Sequence, residues 1–219
     1  MSVQQWPLWE GITDFYIVVS ETSQSLQIKQ CTTFRHGAAE AVVPRGKNLI
    51  LAETKSSKLE ECEVVETGCQ VHQVLDHQQE LFVVFCNGGV QTMTALQNAG
   101  RDGPVVVKGV LEEGEKVVQC QLHQKGSATL LGLLVSDSEG KEVSLVTCRV
   151  VLDGDEGRSV AVEEREVVGS QEELVVLHLA PDLTLYSLSK QESALQKWVG
   201  GNWQKIIEVT TLLTHWNCK

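Results

Sequence analysis

Apolar residues in this chain recur in short alternating runs, and few stretches carry a helical period. Runs rich in Val, Leu, Ile and Thr end at Gly, Asp, Asn or Ser, a pattern that predicts strands joined by tight turns. The clearest case is LFVVFCNGGVQTMTALQNA, residues 81–99, where two apolar runs flank Asn87-Gly88-Gly89. Asn-Gly between apolar runs predicts a hairpin corner because both residues tolerate positive φ, and 90–96 is expected to continue as strand. Three stretches repeat the pattern: AVVPRGKNLILAE turning near Gly46, LLGLLVSDSEGKEVSLVTCRVV turning near Gly140, and LVVLHLAPDLTLYSL turning near Asp182. Their corners recur every roughly 40 to 50 residues, the period of a four-stranded propeller blade.

The intervening segments have room for the remaining strands. LEECEVVE (59–66), QVHQVLD (70–76), PVVVKGVL (104–111), KVVQCQLHQ (116–124) and SVAVEEREVV (159–168) are all predicted strands. An immunoglobulin-like sandwich also has short, evenly spaced strands, but it closes in about 100 residues and has no need of four similar hairpins. The expected fold is therefore all-β: a partial WD40-like β-propeller of three to four blades, each of four antiparallel strands. The expected divisions are an N-terminal segment with the first strands over 1–40, blades over 41–190, and a Trp-rich C-terminal segment over 191–219. For that last segment a strand pair, a short helix and an aberrant terminus stay open. Three to four blades leave a ring of the usual size unclosed, which implies a fragment or isoform, or blades supplied by a partner.

Composition narrows the partners. The 219 residues are 42% apolar, enough for a sizeable core, and the net charge of −11 repels a nucleic-acid backbone on average. Protein partners are the expectation. The start, MSVQQWPLWEGITDF, lacks the basic region and apolar core of a signal peptide, and no apolar run approaches bilayer length. Seven scattered cysteines without a CxxC pair suit reduced, buried thiols better than a disulfide framework. A nuclear or cytoplasmic compartment follows.

Candidate chemistry is sparse. Asn87-Gly88-Gly89 lacks the GxGxxG or GxxxxGK[ST] context that places a helix N-terminus against a phosphate, so a structural turn is expected there. Cys69 with His72 and Cys120 with His123 share the contexts CQVH and CQLH, but strand residues three apart point to opposite faces and cannot chelate one ion. They are better explained as the same strand of successive blades. Ser136, Ser138, Asp137 and His178 could be assembled into a nucleophilic site only on paper, since no GxSxG elbow places them. Glu112-Glu113-Gly114-Glu115 reads as a polar turn, and Glu163-Glu164 and Glu172-Glu173 as solvated faces. Arg35, Arg45, Lys47, Lys55 and Lys58 gather in the first quarter of an acidic chain as a possible interaction rim facing RNA or an acidic partner. No catalytic residue, metal or cofactor is expected.

The order of these runs resembles a known family. LEECEVVETGCQVHQVL, LFVVFCNGGVQTMTALQNA, VLEEGEKVV, the pair around GKEVSLVTCRVVLD, and ELVVLHLAPDLTLYSL together resemble the N-terminal propeller region of nucleolar protein eleven, over residues 41–188. Phe85, Gly88, Val90, Ala95, Leu96 and Ala99 occupy the matching positions. The resemblance implies a truncated form without the family's long helical C-terminal region. It also implies a non-catalytic nucleolar scaffold of the small-subunit processome, acting beside other propeller proteins in ribosomal DNA transcription and pre-rRNA processing, with direct RNA contact left open. A propeller adaptor of a cytoplasmic trafficking or signalling complex is the alternative that the fold alone permits.

Overall fold

The computed structural model describes residues 2–6, 15–19, 32–36, 39–55, 58–78, 80–99, 107–152, 158–170, 174–189 and 194–208. The fold is all-β, with one short helix among the described residues. Strands β1 (Ser2–Trp6) and β2 (Phe15–Val19) pair as an antiparallel ribbon. Strands β3 (Thr32–His36), β4 (Ala39–Arg45), β5 (Asn48–Lys55) and β6 (Lys58–Glu66) form a sheet in chain order. A three-stranded sheet of β7 (Val71–His77), β8 (Glu80–Phe85) and β9 (Val90–Thr92) follows, and helix α1 (Met93–Ala99) continues directly from β9 and packs against β8 and β6. The third sheet is β10 (Lys116–Lys125), β11 (Ala128–Ser136), β12 (Glu142–Leu152) and β13 (Arg158–Ser170). The fourth is β14 (Leu174–Leu179), β15 (Leu185–Ser189), β16 (Ala194–Val199) and β17 (Asn202–Glu208). Each sheet is thus an up-and-down meander, as short links between successive strands dictate.

The chain divides into two compact units, 1–108 with 153–158, and 109–152 with 159–219. In the first, alternate residues Val42, Leu49, Leu51 and Val65 of one sheet meet Val71, Leu81, Val83 and Phe85 of the next, and Met93, Leu96 and Val107 close the cluster. In the second, Leu134, Val143, Leu145 and Val168 meet Leu179 and Leu185, flanked by Leu177, Leu183, Trp198 and Trp203. Burial of one such Leu or Phe contributes about 1.5–3 kcal/mol. Within each unit the opening strands of the paired sheets adjoin: β7 lies against β4 and β3, and β14 against β10.

Several expectations are corrected. Strand continues past Gly89 only to Thr92; from Met93 the residues Met, Ala, Leu and Gln favour helix, and Thr92 Oγ1 caps it by accepting the Ala95 amide at 3.2 Å. Within the predicted strand 104–111, residues 107–111 lie outside any strand, and the Val107 carbonyl is taken by the Asn87 side chain. The corner near Asp182 joins the first and second strands of its sheet, whereas those at Gly46, Asn87-Gly88 and Gly140 join second and third. Its recurrence is therefore offset by one strand. For Trp198 and Trp203 the open question resolves as a strand pair, and Trp216 lies outside the described residues: Gly200 and Gly201, at φ 55° and 81°, supply the left-handed turn of a two-residue hairpin between β16 and β17. Because these strands belong to the fourth sheet, the expected division at 190/191 falls inside it, and the one at 40/41 falls inside β4.

Candidate functional site

The link 86–89 is the hairpin corner expected of Asn87-Gly88-Gly89, with different internal geometry. Gly88 alone adopts a left-handed φ, 77°, and its amide donates to the Phe85 carbonyl at 2.9 Å, while the Phe85 amide donates to the Gly89 carbonyl at 2.9 Å. Asn87 contributes through its side chain instead. Its Oδ1 accepts the Gly89 amide and its Nδ2 donates to the Val107 carbonyl, both at 3.0 Å. Gly89 is required for a separate reason: a Cβ there would lie 2.6 Å from Val107 Cγ1 and 2.8 Å from the Lys108 carbonyl oxygen.

That corner belongs to a tier of mutually bonded loops at one end of the first unit. The Thr67 amide donates to the Lys47 carbonyl, Val71 to Gly46, and Cys86 to Gln70, each at 2.9 Å. Thr67, fully buried, adds its hydroxyl, which lies 2.8 Å from the Lys47 carbonyl oxygen and 2.7 Å from that of Cys69. Interlocked loops hold their exposed side chains on a stiff base.

The five basic residues of the expected rim do not form one patch. In the meander the β3–β4 and β5–β6 links share one end, which places Arg35, Lys55 and Lys58 there, and the β4–β5 link carrying Arg45 and Lys47 lies at the other. Eight residues of β5 separate the ends by roughly 25 Å. Exposed Arg45 and Lys47 instead share the loop tier with exposed Lys108, a cation that composition alone gave no reason to group with them. None of the three has an ion-pair partner among the described residues.

The other candidates separate. Cys69 precedes β7 while His72 lies within it, and Cys120 and His123 both lie within β10, so the two pairs sit on first strands in different registers. No group of three or more His, Cys, Asp or Glu placed to hold a metal occurs among the described residues. Ser136 is buried at the end of β11, Asp137 Oδ1 accepts the Lys141 amide at 2.7 Å, and His178 is exposed on β14 between core-facing Leu177 and Leu179. His178 therefore points away from the core that β11 faces, and the three form no constellation. Glu112 to Glu115 does form a turn, closed by the Glu115 amide donating to the Glu112 carbonyl at 3.2 Å. Glu172-Glu173 lies outside the described residues.

Burial raises the Cys120 thiol to about 12 and the Cys148 thiol to about 11, so both stay protonated and inert at neutral pH. A soluble maleimide is expected to label Cys120 and Cys148 only after urea unfolding, with half-buried Cys69 and Cys86 reacting first. Labelling of all four at one rate in native protein would contradict this packing.

Three ties in the second unit had no motif to announce them. Gln119 clasps the neighbouring first strand: its Nε2 donates to the Leu177 carbonyl and its Oε1 accepts the Leu179 amide, both at 2.9 Å. Arg165 holds Glu115 in a bidentate pair, at 2.5 and 3.1 Å, and this hydrogen bonding keeps the Glu115 carboxyl below its ordinary range. The Trp198 indole donates to Glu166 Oε2 at 2.7 Å and the Trp203 indole to the Val168 carbonyl at 2.8 Å. Only the tryptophans left a trace in sequence, as equal spacing about Gly200-Gly201.

No protein-family model matches the chain, and no curated protein is detectably similar to it.

Proposed function

We propose that the chain is a section of a β-propeller acting as a non-catalytic scaffold. One observation carries this reading: four successive meander sheets, paired within each unit through their opening strands, as neighbouring blades pack. The loop tier bearing Arg45, Lys47 and Lys108 is the surface best suited to a protein partner, because its loops are braced and its cations have no ion-pair partner among the described residues. The resemblance in the order of apolar runs supports reading the scaffold as one of ribosome biogenesis, in the nucleolus, beside other propeller proteins of the small-subunit processome. Its proposed role supports ribosomal DNA transcription and pre-rRNA processing.

The test is co-purification of the tagged chain from nuclear extract, with and without ribonuclease. Processome propeller proteins should be recovered in both cases, and replacing Arg45, Lys47 and Lys108 by Glu should lose them. Recovery of a cytoplasmic adaptor set, or of chaperones alone, would overturn the assignment.

A further inference from the structure

We propose that Asn87 is a guarded deamidation site, chemically latent in the folded corner and released when the corner opens. Asparagine followed by glycine carries a built-in reaction. The backbone nitrogen of residue 88 attacks the Asn87 side-chain carbonyl carbon, forming an N–C bond and expelling ammonia. Water then opens the resulting succinimide to aspartate or isoaspartate. Glycine offers no Cβ to obstruct the attack.

Every group this reaction needs is engaged elsewhere in the fold. The Gly88 nitrogen donates its hydrogen to the Phe85 carbonyl at 2.9 Å. The Asn87 amide is held at both ends, Oδ1 by the Gly89 amide and Nδ2 by the Val107 carbonyl, each at 3.0 Å. Attack requires the nitrogen to leave Phe85 and the side chain to leave its clasp, so conversion waits on local opening of the corner. Such a mechanism makes the product self-reinforcing. Aspartate in place of Asn87 has no N–H for the Val107 carbonyl and sets a carboxylate against it, and isoaspartate also lengthens the backbone of the turn. A corner that has opened and reacted therefore cannot close as before, and the modification records opening events.

The test incubates the full chain in mildly alkaline buffer, folded or in unfolding urea, and follows the amide-to-acid mass change by peptide mapping. Asn98, followed by Ala99 in α1, is the internal reference. In urea Asn87 should convert well ahead of Asn98. In the folded chain its conversion should fall at least about tenfold and rise again through urea concentrations below the unfolding midpoint, as opening-limited chemistry requires. Equal Asn87 rates in folded and unfolded chain would overturn the proposal, and this comparison needs no variant. As a second readout, Asn87→Asp should lower the urea midpoint; an unchanged midpoint would remove the self-reinforcing step.

Discussion

Replacing Gly89 by alanine is expected to cost about 3 kcal/mol, the upper end of what overpacking a filled site costs, although it adds one methyl group. The new Cβ would meet Val107 Cγ1 at 2.6 Å, the Lys108 carbonyl oxygen at 2.8 Å and Asn87 Oδ1 at 3.1 Å. A valine methyl can rotate aside, but a backbone carbonyl can retreat only if residues 107–108 move. That movement stretches the 3.0 Å bond from Asn87 Nδ2 to Val107 and withdraws Val107 from the first unit's core. Gly88→Ala isolates a different cost. Gly88 is held at φ 77°, where a side chain meets the following carbonyl, so about 1–2 kcal/mol of conformational strain is expected. Urea unfolding midpoints separate the two. If Gly89→Ala proves milder than Gly88→Ala, the segment after α1 does not pack against the corner.

This corner also shows what a local pattern can convey. Two apolar runs around Asn-Gly require a reversal of the chain, and a reversal is what the pair makes. The pattern carries no knowledge of residues 107–108, yet their approach dictates glycine at 89 and adds to the local bond of Asn87 Oδ1 a long-range one through Nδ2. A strand with alternation, such as that over 116–124, was legible because one buried face, carrying Cys120 and Leu122, imposes period two. The helix at 93–99 was hidden by strand formers on its N-terminal side, although Thr92 before Met-Thr-Ala-Leu is a capping sequence. The basic rim failed for a topological reason. Residues near in sequence lie at opposite ends of a meander whenever a strand separates them, so Lys47 and Lys55 diverge while Lys47 and Lys108 share the loop tier.

The second large effect is expected at Trp203. Its ring meets that of Trp198 edge to face, centroids 5.1 Å apart at 67°, directly across the β16–β17 hairpin. Both rings lie against the core of the second unit, and both indole N–H groups bond to β13 of the preceding sheet. Trp203→Ala removes the apolar contact, the aromatic pair and the donor to Val168 together, for an expected loss of about 3 kcal/mol, the low end for Trp truncation because the ring is half-buried. Trp203→Phe keeps a smaller ring on Trp198 and deletes the N–H with part of the contact area, for about 1–2 kcal/mol. The difference between the variants therefore reports the packing that a phenyl ring retains. Hydrogen exchange should localise the loss: amides of Leu185 and Ser187 in the Trp203→Ala protein should lose protection, while those of Val83 and Phe85, in the other unit's sheet, should keep it. Uniform loss across both units would mean that the tryptophans stabilise the whole chain cooperatively rather than fastening the fourth sheet to the third.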